Sequence, residues 1–327
     1  MDRRWHAGLV ARTAHGPDLG VELAGKAGGD VPLHRGGGAG RLGVGVIGMG
    51  HVGPVIASAL RAAGHSIVAV SASSDASRER ADAMLPGVPV EDVPVVVERS
   101  EVVVLAVPDD QIRPLVTGLA RSSAWQTGQI VIHLSGAHGV SVLDGAASQG
   151  AIPLAIHPAM TFTGTSVDVR RLVGAPFAVT GAAPFLPIAQ ALVVEMGGEP
   201  VVVDEERRPL YHAGLTHGAN SIAGIANQTM RILGVAGVED PARYARPLLE
   251  AALDRALTEG VAGISGPVPR ADAGTVAAHV RALGASAGLR GELDTYVSMT
   301  RALVALLQDA RLLDERRATE LLAALLQ

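Results

Sequence analysis

Residues 42–47 form an apolar run that ends in Val46-Ile47-Gly48-Met49-Gly50-His51-Val52-Gly53 and leads straight into a helical segment. Three glycines at this spacing, between a strand and a helix, restrict the local fold. The first serves a tight turn, the second a close approach of backbone to a ligand, and the third close helix–strand packing. The spacing predicts a strand over 42–47 and a helix running to about Ala63.

Alternation continues downstream. Strands are expected over 66–71, 88–90, 101–107, 129–134, 152–156, 177–180 and 200–203, and helices over 77–84, 109–121 and 184–196. Continuous β-branched runs between helices suit a parallel sheet covered on both faces. After Asp204 the strand signals stop, and 210–233, 241–260, 271–283, 291–308 and 315–326 all carry helical spacing. The expected fold is α/β: a doubly wound, mostly parallel Rossmann sheet over residues 41–204, then an all-helical domain over 205–327. Residues 1–40 are Gly-rich and lack a period, and read as a disordered extension.

Composition removes several chemistries. The chain of 327 residues has no cysteine, which excludes disulfides, thiolate catalysis and cysteine-ligated metals. It has one lysine, Lys26, so a lysine mechanism in the folded body is excluded unless the extension folds back. A net charge of −5 argues against nucleic acid as a partner. Residues 172–194 are 23 without a charge, but Pro176, Pro184 and Pro187 break them into a strand, a turn and a helix start rather than a membrane span. No secretory peptide is evident, and a cytoplasmic location is expected. No His/Asp/Glu set has metal-ligand spacing, so no metal is assigned.

The glycine turn points to a dinucleotide, held by Gly48, Met49, Gly50, His51, Val52 and Gly53 with its pyrophosphate at the helix N-terminus. An acidic residue at the end of the second strand would select NAD. Ser71, Ser73 and Ser74 stand there instead, with Arg78 and Arg80 beyond, so NADP is expected, with NAD as the alternative. Val107-Pro108 and Ser135-Gly136 end two further strands on the same edge and are assigned to cofactor and substrate respectively.

On the helix at 210–233, Thr216, Asn220, Gly224 and Asn227 fall within about 40° of one line, with His212 and His217 flanking it. Such a polar stripe either lines a cleft or lets two helices pack closely. His157, His212 and His217 have the range for proton transfer near neutral pH. Asn220 can hydrogen-bond a substrate oxygen, with Thr216 and His217 beside it. Arg270 either clamps a substrate carboxylate, with Asp272 nearby, or pairs with Asp272 structurally.

These motifs, together with His133-Leu134-Ser135-Gly136, His157-Pro158-Ala159-Met160-Thr161-Phe162, Tyr211-His212-Ala213 and Ser265-Gly266-Pro267-Val268-Pro269-Arg270-Ala271-Asp272, resemble those of bacterial Rossmann-like proteins with a C-terminal helical domain of unknown function. That family in turn resembles the superfamily of ketopantoate reductase, pyrroline-5-carboxylate reductase and β-hydroxyacid dehydrogenases. The resemblance spans residues 42–325. It implies an NAD(P)H-dependent reductase of a small carboxylate-bearing carbonyl or imine, ketopantoate-like, with His212 as donor or relay. A homodimer through the helical domain is also expected. Two residues depart from the pattern: Ala72 replaces an arginine, and Ala271 replaces a glycine, so no tight glycine turn is expected there. The superfamily's lysine is missing, and this favours a second reading, a non-catalytic NADP(H)-binding sensor or scaffold.

Overall fold

The computed structural model describes residues 41–326; the extension assigned to residues 1–40 lies outside them. In chain order the elements are β1 (Gly43–Ile47), α1 (Gly53–Ala62), β2 (Ser66–Ser71), α2 (Asp75–Met84), α3 (Val93–Glu98), β3 (Val102–Leu105), α4 (Asp109–Arg121), β4 (Ile130–His133), α5 (Asp144–Ala147), β5 (Ile152–Pro158), α6 (Ser166–Arg171), β6 (Pro176–Thr180), α7 (Leu186–Glu195) and β7 (Glu199–Val202). Helices α8 (Arg208–Val235), α9 (Pro241–Glu259), α10 (Ala273–Ala285), α11 (Arg290–Asp309) and α12 (Glu315–Ala324) follow. None of the described helices is long and apolar enough to cross a membrane.

The strands form one sheet in the order β2-β1-β3-β4-β5-β6-β7. Its middle strands are apolar on both faces. Val102 and Val104 enter the core under α1 and α7, while Val103 and Leu105 enter the one under α3 and α4. This two-sided burial is why no apolar–polar alternation is visible in these strands.

One segment differs from the sequence-based expectation, and two others carry features it did not specify. Residues 88–90 contribute a single bridge, Val70 to Val90, instead of a strand. The β-branched run Val93-Pro94-Val95-Val96-Val97-Glu98 is helical, with Pro94 in the first turn, because Val96 and Val97 bury fully against the sheet and packing overrides propensity. Strand β6 runs antiparallel to β5, with Phe177 opposite Pro158. The connection over residues 159–175 therefore stays at the strands' C-terminal edge, where its Gly164 lies against His51 of the glycine turn.

The turn before α10 forms without its glycine. Ala271 takes φ 55°, a left-handed conformation, and its N–H bonds to the carbonyl of Val268. A Cβ costs roughly 1–2 kcal/mol there, partly offset because alanine has less freedom than glycine to lose on folding. Ala271→Gly should stabilise the protein by about 0.5–1 kcal/mol, raising the melting temperature by on the order of 1–3 °C. A lower melting temperature by calorimetry would contradict this account.

Candidate functional site

The glycine turn is built as its spacing requires. Gly48 has φ 103°, and a Cβ there would meet the carbonyl oxygen of Ala106 at 2.5 Å. A Cβ on Gly53 would collide with the carbonyl of Gly48. A Cβ on Gly50 would meet nothing within 4 Å, so the space in front of this residue is open. Helix α1 starts beside that space with no capping side chain and no acidic residue in its first turn. Its dipole end suits a phosphate. The turn thus fits a dinucleotide pyrophosphate.

The other turn residues have distinct places. Met49 is buried in the core, Val52 is the N-cap residue of α1, and His51 is exposed. The carbonyl of Met49 accepts a hydrogen bond from Arg80 Nε at 3.1 Å. Arg80, rather than Arg78, therefore reaches the turn; Arg78 is exposed on α2. The carbonyl of Ser71 accepts from the Gly48 N–H at 3.0 Å. Ser74 caps α2 in a reciprocal pair with Ser77, and Ser73 beside it is exposed.

Beyond β3, half-buried Val107 precedes Pro108, the N-cap residue of α4. Asp109, the next residue, accepts from Ser135 Oγ at 2.7 Å, which joins the lips of β3 and β4. Ser135 Oγ also accepts from the N–H groups of Ala137 and His138. This hydroxyl shapes the turn. Buried His133 donates from Nε2 to the carbonyl of Gly139 and accepts the Ser135 N–H at Nδ1. Burial, aided by the charge of Arg208, lowers its pKa to about 4.

Arg208, at the start of α8, is fully buried. Its Nε donates to Thr180 Oγ1 at 2.8 Å, Nη1 to the carbonyl of Ser135 at 3.2 Å, and Nη2 to those of Ala155 and Ala178 at 3.0 and 3.1 Å. One guanidinium thereby pins α8 to the segments ending β4, β5 and β6. Tyr211 and His212 follow one turn later. Tyr211 Oη lies 2.9 Å from His157 Nδ1, and the His157 and His212 rings meet edge-on with centroids 6.2 Å apart. Gly136 sits beneath both: a Cβ there would come within 2.8 Å of His157 Nε2 and of His212 Cδ2. Burial and then Arg208 lower the pKa of His157 to about 4.

The structure thus brings Gly136, His157 and His212 together. Thr216 Oγ1 lies 3.5 Å from His212 Nε2, at the edge of this group. Asn220 is two turns further along α8, about 12 Å at 1.5 Å per residue, and is exposed, as is His217. Arg270 and Asp272 stand elsewhere, at the start of α10. Asp272 caps that helix through the N–H and hydroxyl of Thr275, which hold its carboxyl below the usual range. Arg270 is exposed, and among the described residues no ion pair joins the two. Nearby, His279 Nδ1 lies 2.9 Å from Tyr296 Oη. The described residues contain no group of three or more His, Asp or Glu arranged to hold a metal.

Two residues of this site had no role assigned from the sequence. Arg208 is indistinguishable from its exposed neighbour Arg207 in Glu205-Glu206-Arg207-Arg208. Tyr211 is one of only three tyrosines and adjoins His212, which was the available signal.

Family models match the chain over residues 33–158, as a Rossmann-like domain, and over residues 175–303, as the domain of unknown function DUF2520. The chain is a Rossmann-like protein with a DUF2520 C-terminal domain. No curated protein matches its sequence. Among solved structures it is similar to a Bacteroides fragilis protein provisionally named an NADP oxidoreductase, with a TM-score of 0.65 and 18% identity over 80% of this chain and 98% of that one. Protein TM1727 of Thermotoga maritima gives 0.61 and 20%, over 82% and 99%. An imine reductase variant from Myxococcus stipitatus, in complex with NAD+, gives 0.51 and 16%, over 88% and 100%. At these identities the likeness is one of fold.

His133 makes folding pH-dependent. Its folded pKa, about 4, lies below the ordinary 6.5, so the unfolded chain binds more protons between these values and stability falls as pH drops through them. The loss from this residue should be on the order of 2–3 kcal/mol. Denaturant unfolding at stepped pH should show a shallower decline from pH 6.5 to 4 in His133→Gln. Parallel declines in the two proteins would remove His133 as the cause.

Proposed function

We propose that this protein is an NAD(P)H-dependent reductase of a small carboxylate-bearing carbonyl or imine, with NADP(H) preferred. One observation carries the reading: the open phosphate cradle at Gly50 and the His157–His212 group lie on the same C-terminal sheet edge. Ligands of open α/β sheets bind along that edge. The dinucleotide, when bound, supplies a hydride. The chain's own residues would seat it at Gly48–Gly53 and hold the substrate beside His157, whose imidazole burial keeps neutral. The absence of a carboxylate at Ser71–Ser74, with Ser73 and Arg78 exposed there, supports NADP(H). A ketopantoate-like 2-oxo acid is the first substrate to try. The similarity of the fold to that of an imine reductase bound to NAD+ makes imines the second.

NADPH should bind the purified protein more tightly than NADH, and Arg78→Ala should narrow the difference. Gly50→Val should abolish binding of both while melting normally, since a Cβ there meets no protein atom within 4 Å. Absorbance at 340 nm across a panel of 2-oxo acids and cyclic imines should identify a substrate. Tight binding without oxidation of NADPH by any of them would favour the sensor reading instead.

We further propose that the protein acts as a homodimer whose contact is the α8–α9 hairpin. Among 28 residues of α8 only Arg208 is buried, and among 19 of α9 only Ala245. Helices in proteins draw most of their stability from a buried face. Here Leu210, Tyr244, Leu248 and Leu257 are each at least 70% exposed. A groove of about 660 Å³, lined by Ile222, Ile225, Met230, Leu249 and Leu253, runs between the two helices. A second copy carries the same apolar face and can cover it across a two-fold axis. Sedimentation equilibrium should give a dimer for the wild type and a monomer for a Leu248→Asp/Leu257→Asp variant. A monomeric wild type at micromolar concentration would refute it.

A further inference from the structure

We propose that His157 and Tyr211 form the proton relay of this site, with His157 Nε2 delivering the proton and Tyr211 Oη replacing it at Nδ1. The inference rests on the reductase reading above and assigns the group that reading leaves open. His157 is anchored on the sheet at the end of β5, while Tyr211 is anchored by the turn of α8 that Arg208 pins down. Their contact, 2.9 Å with the rings edge-on, therefore joins two fixed elements. The opposite ring nitrogen, Nε2, lies over Gly136 and has no hydrogen-bond partner in the protein among the described residues. No fully buried side-chain nitrogen or oxygen among those residues lacks a partner, so Nε2 keeps some exposure to solvent. It is the imidazole nitrogen of the pair that a substrate can touch.

The other polar groups suit the role less well. Asn220 has no proton to give and is two turns away, and His217 is exposed. His212 Nε2 is turned toward Thr216. His157 cannot serve as a standing imidazolium, because burial and the charge of Arg208 lower its pKa to about 4. A neutral imidazole can still give up its Nε2 proton if Nδ1 gains one in the same event. Tyr211 supplies that proton, since burial raises its pKa and keeps the phenol protonated at neutral pH. Arg208, whose guanidinium carbon lies 6.0 Å from the Tyr211 ring centre, favours the phenolate left behind.

The step balances. A hydride from the reduced dinucleotide adds to the substrate carbon, and the carbonyl oxygen or imine nitrogen takes the proton as the Nε2–H bond breaks. Nδ1 takes the phenolic proton, so the imidazole ends as its other neutral tautomer, and the phenolate recovers a proton from water. Besides Arg208, the charged or titratable groups acting on His157 are His212 on α8, Asp109 at the start of α4 and His133 on β4.

The full-length protein labelled with ¹⁵N-histidine decides the first half by NMR. His157 should be neutral at pH 7 with its proton on Nε2, and Tyr211→Phe should shift its Nδ1 resonance. With a substrate in hand, Tyr211→Phe should lose about 10²–10⁴-fold in kcat at unchanged NADPH affinity and melting temperature. The wild-type rate in H₂O/D₂O mixtures should curve as two protons in flight require, and the variant's should be linear. Tyr296→Phe, which removes the hydroxyl of the similar pair with His279, should leave turnover unchanged. A proton on Nδ1 in the wild type, or a Tyr211→Phe variant as fast as wild type, overturns the relay and leaves the reductase reading standing. Failure of the wild type to oxidise NADPH with any substrate overturns that reading, and the relay with it. Should Tyr211→Phe not fold, the wild-type tautomer and the wild-type isotope curve still decide.

Discussion

The buried guanidinium of Arg208 is the interaction on which the site depends. It has no ion-pair partner among the described residues, and four neutral oxygens solvate it: one hydroxyl and three main-chain carbonyls. Removing a charge from water without such replacement costs several kcal/mol, so these acceptors and their spacing are fixed together. All four belong to β5, β6 and the turn after β4, at the place where the sheet changes from parallel to antiparallel. Burial lowers the pKa to about 10, which leaves the group charged at neutral pH.

Two consequences follow from that charge. Mechanically, it sets the direction in which α8 leaves the sheet, and so where Tyr211 and His212 stand against His157. Electrostatically, it acts with burial to hold His133 and His157 neutral, although each would ordinarily titrate near pH 6.5. One residue therefore sets both the geometry and the protonation state of the crevice. The antiparallel turn at β6 adds to this by keeping the 159–175 connection at the same edge, where it meets the glycine turn through Gly164 and His51. Asp168 secures that loop by accepting from Thr163 and Gly164.

Much of the fold was legible because its signals are local. The glycine turn reads directly, since each glycine answers a steric demand within a few residues of itself. The helices after Asp204 read from their spacing, and each begins and ends close to the expected residues. Val93–Glu98 did not read, because its composition favours strand and only burial against the sheet makes it helical. Ala271 misled for a related reason: glycine prefers the left-handed turn, but alanine tolerates it when the surrounding bonds require it.

The sequence by itself determined the alternating α/β order, the glycine turn and the helical C-terminal part, because strand runs, glycine spacing and helical periodicity are short-range properties. It also settled that no cysteine or body lysine could act. Only the tertiary structure decided which polar residues meet. His157 and Tyr211 are 54 positions apart and touch only because β5 and the start of α8 share one edge. Asn220, on the same helix as Tyr211, is carried away from that edge by the rise of α8, and Arg270 is committed to neither Asp272 nor the crevice. Chemistry at a site depends on distances of about 3 Å between remote segments, and those distances are fixed by packing rather than by spacing along the chain.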